Sequence, residues 1–143
     1  MHSNEFFNQI LRLHPPFSVS DVVLQKKDDA TTKRIDIFLT VDTDFVPQKN
    51  GSTCLGLVSH DQRSWQHLSV FNFPCYLHCA IPRFKYKNRT TGRISYRAVG
   101  TPWSKARSSF TKELEAWTMH LIEIHGNIAN VSRQLNIEDS SRQ

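Results

Sequence analysis

The stretch YLHCAIPRFKYKNRTTGRISYRAV, residues 76–99, decides the fold. Tyr76 to Phe84 and Ile94 to Val99 combine β-branched and aromatic residues, which favour strands. Thr90-Thr91-Gly92 lies between them and is a turn signal, because glycine tolerates backbone angles that other residues avoid. The sequence therefore predicts two antiparallel strands joined by a tight turn.

Neighbouring segments extend this hairpin into a small sheet. Phe17 to Gln25 and Arg34 to Val41 are rich in Val, Ile and Phe with partial alternation, and the polar run between them supplies a turn. Leu68 to Phe73 is a further predicted strand. Asp42 to Ser64 is polar with little periodicity, which predicts a loop.

Helical spacing marks the two ends of the chain. Near the N-terminus, Glu5 to Leu13 predicts a short amphipathic helix that Ser3 or Asn4 caps and Pro15-Pro16 ends. A longer helix follows from Phe110, with Ser108 or Ser109 as its cap and Gly126 as its end. Its apolar face is predicted to consist of Phe110, Leu114, Trp117, Leu121 and Ile124.

A second, shorter helix is predicted at the C-terminus, from Ile128 to Leu135. Two helices joined through a glycine form the first two thirds of a helix-turn-helix, whose third helix is missing or only begun. The predicted fold class is α+β: a small, mostly antiparallel β-sheet with a short N-terminal helix and a C-terminal helical pair. Residues 1–99 are expected to form the helix and sheet domain, and residues 100–143 a linker and the helical segment.

Charge is segregated along the chain. Gln62 to Lys112 contains ten of the 18 Lys and Arg residues and none of the 13 acids, so the net charge of +5 is +10 there and −5 elsewhere. Clustered cations attract phosphate backbones, and aromatic residues interleaved with them can stack on exposed bases. The stretch is therefore a candidate for binding a polyanion. An edge hairpin that is cationic only for solubility and to block edge pairing is the alternative.

Length and composition limit the class of protein. With 143 residues the chain is expected to fold as one domain with at most a small appendage, without a membrane span or signal peptide and in the cytoplasm. Its three cysteines are an odd number, which argues against an extracellular disulfide framework.

Three stretches together resemble a known family: Trp65 to Leu68 (WQHL), Cys75 to Arg83 (CYLHCAIPR) and Gly100 to Thr111 (GTPWSKARSSFT). They are similar to the N-terminal region of transposases of the insertion-sequence L-three (ISL) family, and the resemblance covers roughly Gly51 to Ile137. It implies a region that binds DNA at the ends of a mobile genetic element, ahead of a large catalytic domain for which this chain has no room. We therefore expect no enzymatic activity, because strand transfer needs carboxylates that hold two metal ions.

The family's zinc-finger pattern is degenerate in this chain. The resemblance places Gly51 and Cys54 at the first ligand pair and Tyr86 and Arg89 at the second, so one ligand of four survives. The sequence predicts no metal and no cofactor. A non-standard zinc site remains the alternative, formed by Cys54, His60, His67 and either Cys75 or Cys79.

Other candidate residues are interpreted as structural. Alternation places Cys75 and Cys79 on one face of a strand and His78 on the other, and the two cysteines are expected to be small buried hydrophobes. A catalytic thiol is disfavoured because nothing in the sequence activates it. Three aspartates are predicted to be solvated carboxylates at the end of a strand: Asp36, Asp42 and Asp44. Three tryptophans are predicted to be core or interface residues: Trp65, Trp103 and Trp117.

The function expected from these observations is non-catalytic DNA binding, mostly nonspecific or led by DNA shape. The nucleic-acid-binding residues are predicted to be Arg83, Lys85, Lys87, Arg89, Arg93, Arg97, Lys105, Arg107 and Arg133. The alternative is a mobile-element protein that inhibits a host nucleic-acid machine through protein contacts. DNA is thus the expected partner, with a protein partner or homodimer possible and neither a membrane nor a small-molecule substrate expected. A decayed fragment without an independent role is a third possibility.

Overall fold

The computed structural model describes residues 3–26, 33–70, 72–105 and 107–125. Its elements, in chain order, are α1 (Ser3–Ile10), β1 (Phe17–Lys26), β2 (Lys33–Val41), β3 (Ser52–Val70), β4 (Phe73–Asn88), β5 (Ile94–Ala98) and α2 (Lys112–His125). The strands form one mostly antiparallel sheet in the order β1-β2-β4-β3, and β5 also pairs with β4. The α+β class is confirmed. The predicted second C-terminal helix, and with it the helix-turn-helix, lies outside the described residues.

The predicted β4–β5 hairpin is confirmed, and its turn is held by hydrogen bonds around Asn88. The backbone N–H of Asn88 donates to the carbonyl of Arg93 at 2.9 Å, and the N–H of Gly92 donates to the carbonyl of Asn88 at 2.9 Å. The Asn88 side-chain oxygen accepts from the N–H groups of Thr90 and Thr91. Gly92 has a φ of 73°, a conformation that glycine adopts without strain. Local turn chemistry therefore determines this element.

The two strands of the other predicted hairpin are confirmed as β1 and β2, which are neighbours in the sheet. Residues 27–32 between the two strands are not among those described. The helix α1 packs beside β1, because the Asn8 side-chain oxygen accepts from the N–H of Val19 at 2.8 Å and the Asn4 amide donates to the carbonyl of Ser20. This helix ends at Ile10, before the prolines predicted to end it.

The prediction of a loop from Asp42 to Ser64 is wrong for its second half. The strand β3 begins at Ser52, directly after Gly51 with a φ of 76°, and continues to Val70. From residue 55 to 60 every side chain is exposed, so burial shows no alternation there. β3 lies at the end of the strand order. Such an edge strand is held by main-chain pairing, which leaves little signal in the side chains.

The predicted cap and apolar face of α2 are both corrected. Thr111, and not Ser108 or Ser109, caps the helix: its hydroxyl accepts from the N–H of Leu114 at 3.2 Å. Trp117 and Ile124 remain 48% and 61% exposed. Phe110, Leu114 and Leu121 pack as predicted, with Leu114 at the centre, and Leu68 and Ile122 complete the cluster. The buried stripe of α2 is narrower than the sequence period predicts.

The chain divides into two compact units, and β1 to β4 each contribute residues to both. The first consists of Met1–Asp21, Phe38–Arg63 and His78–Gly100, and the second of Val22–Ile37, Ser64–Leu77 and Thr101–Gln143. The first buries Phe17, Val19, Leu39, Cys79, Ile81, Phe84 and Tyr86. The second buries Ile35, Ile37, Trp65, Cys75, Tyr76, Leu77 and Leu114. The proposed division into residues 1–99 and 100–143 stays a prediction.

The prediction that Asp36 is a solvated carboxylate is wrong. Its side chain is 1% exposed and accepts from the Arg34 guanidinium through both oxygens, at 2.6 and 3.0 Å. The Arg34 guanidinium carbon lies 4.1 Å from the centre of the Tyr76 ring. A buried carboxylate needs such a partner, because desolvation would otherwise strongly penalise its charge. Asp42 and Asp44 are exposed, as predicted.

Two of the three tryptophans pack against each other. Trp65 is buried, and its ring meets the ring of Trp103 edge-on at 5.2 Å. Trp117, in contrast, is exposed on α2, which contradicts the core alternative, while an interface role for it stays a prediction. Neither described helix is both long enough and apolar enough to span a bilayer.

Candidate nucleic-acid interface

The β4–β5 register sorts the basic residues of the hairpin onto two faces. Arg83 pairs with Ala98, Lys85 with Tyr96, and Lys87 with Ile94. Paired residues share a face and alternate residues along a strand return to it, so these six side chains lie on one side of the hairpin. We call Arg83, Lys85, Lys87, Ile94 and Tyr96 the cationic face.

The opposite side of the hairpin is formed mainly by buried rings. Phe84 and Tyr86 are both buried and alternate with the lysines. Arg97 pairs with Phe84 and therefore lies on this side, although its own side chain is exposed. Tyr86 also has the Lys49 amine 5.3 Å from its ring centre. Burial of the two rings holds the lysines of the cationic face toward solvent.

The cations of this face differ in whether an acidic side chain lies beside them. Arg83 lies 3.4 Å from the carboxylate of Asp61 on β3, and both side chains are partly exposed. An exposed pair of this kind contributes about 1 kcal/mol or less to stability. Lys87 is exposed and Lys85 is half-buried. The sequence of β4 and β5 contains no acid, so compensation of Arg83 comes from a neighbouring strand.

The turn adds two exposed cations to the hairpin. Arg89 follows β4; its N–H donates to the carbonyl of Gly51 at 2.9 Å, and its guanidinium approaches the Thr53 hydroxyl at 3.3 Å. Arg93 precedes β5 and is exposed. Both guanidinium groups therefore lie at the end of the hairpin, next to the residues of the cationic face along the chain.

Two of the remaining predicted site residues belong to the second compact unit, and one is not described. Lys105 and Arg107 lie in the second compact unit, where the Lys105 amine is 3.5 Å from the Glu115 carboxylate. Arg133 falls outside the described residues. The structure thus brings together Arg83, Lys85 and Lys87, places Arg89 and Arg93 at the adjoining turn, and puts Arg97 on the other side of the hairpin.

Two members of the cationic face were absent from the predicted site. Tyr96 and Ile94 are 50% and 40% exposed beside the lysines. Strand alternation could have predicted that these two residues share a face, because they are two residues apart on β5. Which basic residues they accompany depends on the register of β5 against β4, and that register is known only from the structure.

Cys75 and Cys79 are buried, as the sequence predicted, while Cys54 is only partly buried. Burial, reinforced by the nearby charge of Asp36, raises the pKa of the Cys75 thiol to about 12, and burial raises that of Cys79 to about 11. Both groups therefore stay protonated at neutral pH, the form that neither attacks electrophiles nor binds metals. His67 is also engaged, since its Nδ1 lies 2.8 Å from the hydroxyl of Thr111.

The alternative zinc site is not assembled in the described part of the chain. Among residues 3–26, 33–70, 72–105 and 107–125, no three His, Cys, Asp or Glu side chains lie close enough to share a metal ion.

Comparison of the chain with protein-family models, with curated proteins and with solved structures finds no match in any of the three. The resemblance to ISL-family transposases therefore stays a prediction that depends on the three quoted stretches alone.

Proposed function

We propose that this protein is a non-catalytic DNA-binding protein that holds the phosphate backbone with the cationic face and the adjoining turn. One observation carries the proposal: Arg83, Lys85 and Lys87 lie at alternate positions on one face of a strand that contains no acid. The resemblance to the end-binding region of transposases points in the same direction.

The spacing of these cations suits a phosphate backbone. Alternate residues of an antiparallel strand are about 6.8 Å apart, twice the rise of about 3.4 Å per phosphate along one strand of B-DNA. Three cations in a row therefore span about 14 Å, a length over which one strand of B-DNA advances by about four phosphates along the helix axis. Arg89 and Arg93 extend the positive charge beyond the end of β4. Binding through phosphates alone positions a protein without reading sequence.

The test is a titration of fluorescent duplex DNA at several salt concentrations, with Lys85→Gln/Lys87→Gln compared with the wild type. Each phosphate contact contributes about 0.9 to the slope of log K against log salt, so the double variant should lower the slope by about 1.8. If the wild type and the double variant bind equally at about 1 M salt, this difference in slope makes the variant bind roughly 60-fold more weakly than the wild type at about 0.1 M salt.

A matched control is Lys33→Gln/Lys112→Gln, which removes the same charge from two positions in the second unit that are not candidate site residues. The control should bind nearly as tightly as the wild type. Equal losses in the two variants would mean that net charge, and not the cationic face, determines binding. No binding by the wild type at about 50 mM salt would refute the proposed function.

A second candidate function is pairing with another protein, and one observation favours it. The edge strand β3 exposes three apolar side chains, Leu55, Leu57 and Val58. An exposed apolar edge is a template for strand addition by a partner or by a second copy of the chain. Under this hypothesis, Leu57→Lys abolishes the complex with the partner or with the second copy, as measured by analytical ultracentrifugation, and leaves the affinity for DNA unchanged.

A further inference from the structure

The cationic face carries an aromatic ring that phosphate binding does not need. Tyr96 is 50% exposed and directly opposite Lys85 in the β4–β5 register. The other two rings in the part of β4 that pairs with β5, Phe84 and Tyr86, are buried on the opposite side. The ring that is available to a ligand is therefore the one that lies among the cations.

Distances within an antiparallel pair place this ring close to the charges. Directly opposite residues have Cβ atoms about 5 Å apart, and diagonal neighbours are about 7 to 8 Å apart. Lys85 is therefore the nearest cation to Tyr96, with Arg83 and Lys87 one diagonal step away on either side. Ile94, two residues before Tyr96 and 40% exposed, borders the ring with apolar surface.

This combination distinguishes between forms of nucleic acid. The bases of a duplex stack on one another and present only their edges in the grooves, so a ring on a sheet surface finds no base face there. An unpaired base offers its whole face, and stacking on an aromatic side chain is tolerant of base identity. Cations beside the ring then meet the phosphates that flank the base.

We propose that the cationic face binds single-stranded nucleic acid, with an unpaired base stacked on Tyr96 and the flanking phosphates held by Lys85 and Lys87. This inference rests on the proposed function and names the form of nucleic acid that the same site prefers. Arg83 contributes less to phosphate binding, because the carboxylate of Asp61 already lies 3.4 Å from its guanidinium.

The test compares three labelled probes of the same length, about 16 nucleotides, near the upper limit of nonspecific single-strand sites. They are a mixed-sequence DNA strand, the same strand with abasic residues at every position, and the corresponding duplex. Tyr96→Ala removes the ring and Tyr96→Phe keeps it. Phe6→Ala is the matched control, since Phe6 is a similarly exposed aromatic residue on α1. Thermal melting verifies that each variant is folded.

We expect the wild type to bind the mixed strand more tightly than the abasic strand or the duplex. Tyr96→Ala should weaken binding to the mixed strand by about 5- to 150-fold, the range for loss of one stacked base, without changing the salt slope. Its affinities for the abasic strand and the duplex should not change. Tyr96→Phe and Phe6→Ala should both match the wild type.

The possible failures are distinguishable. Binding of strand and duplex with equal affinity, unaffected by Tyr96→Ala, would overturn the single-strand inference and leave the proposed DNA binding intact. Binding of no probe at low salt would refute both. An RNA strand of the same sequence serves as a further arm: tighter binding to RNA would show that the cationic face prefers RNA to DNA, and a loss of affinity in Tyr96→Ala on that probe would support stacking on Tyr96.

Discussion

Replacing Asp36 by Asn tests whether the buried ion pair with Arg34 stabilises the sheet. The carboxylate is 1% exposed and takes both hydrogen bonds from the Arg34 fork, while 29% of the Arg34 side chain remains exposed. Removing one partner of a buried ion pair costs about 3 to 5 kcal/mol. Water reaches part of Arg34, so we expect the lower end, about 3 kcal/mol.

The assay is equilibrium unfolding in urea, followed by thermal melting. A domain of this length has a free energy of unfolding of about 7 to 20 kcal/mol, so Asp36→Asn should still fold. It should unfold at lower urea with an unchanged m value, and its Tm should fall by about 6 to 12 °C. Asp44→Asn removes an exposed carboxylate and should stay within about 0.5 kcal/mol of the wild type. The reasoning is refuted if Asp36→Asn is as stable as that control.

Three further predictions concern the second unit and the cysteines. Burial lowers the pKa of His67 below 6.5, so the unfolded chain binds a proton on this residue at a higher pH than the folded protein does. The free energy of unfolding should therefore decrease as the pH falls through about 6.5. Urea melts over a series of pH values measure this decrease, and His67→Gln should remove the part of it that His67 causes. Thr111→Val removes the cap of α2 and the contact with His67, and it should lower the free energy of unfolding by about 1 to 2 kcal/mol. Thr111→Ser keeps the hydroxyl and should lower it by less. Equal losses in the two variants would contradict capping by the hydroxyl. A thiol reagent should modify Cys54 alone in the native protein and all three cysteines in denaturant; rapid native reaction of Cys75 or Cys79 would contradict their burial.

Local signals were sufficient for part of the fold. The β4–β5 turn, the β1–β2 strands and the start of a C-terminal helix near residue 110 follow from turn residues and periodicity within a few positions. The first half of β3 was not predictable in this way. Its exposed side chains carry no alternation, and it is a strand because its backbone pairs within a sheet.

The candidate site shows the same division. Clustering of Arg83, Lys85 and Lys87 was visible in the sequence, and strand alternation placed them on one face. The position of Tyr96 beside Lys85 was not visible, because cross-strand neighbours depend on register, and a shift of one residue would have placed Arg97 there instead.

The sequence by itself determined the segregation of charge, the α+β class and the hairpin that carries the basic residues, because these follow from composition and from interactions between near neighbours in the chain. Only the tertiary structure decided that Asp36 is buried with Arg34, that the Thr111 hydroxyl contacts His67, and that Tyr96 lies among the cations. Burial, and pairing between segments distant in the chain, arise when the whole core is assembled, so no local pattern encodes them.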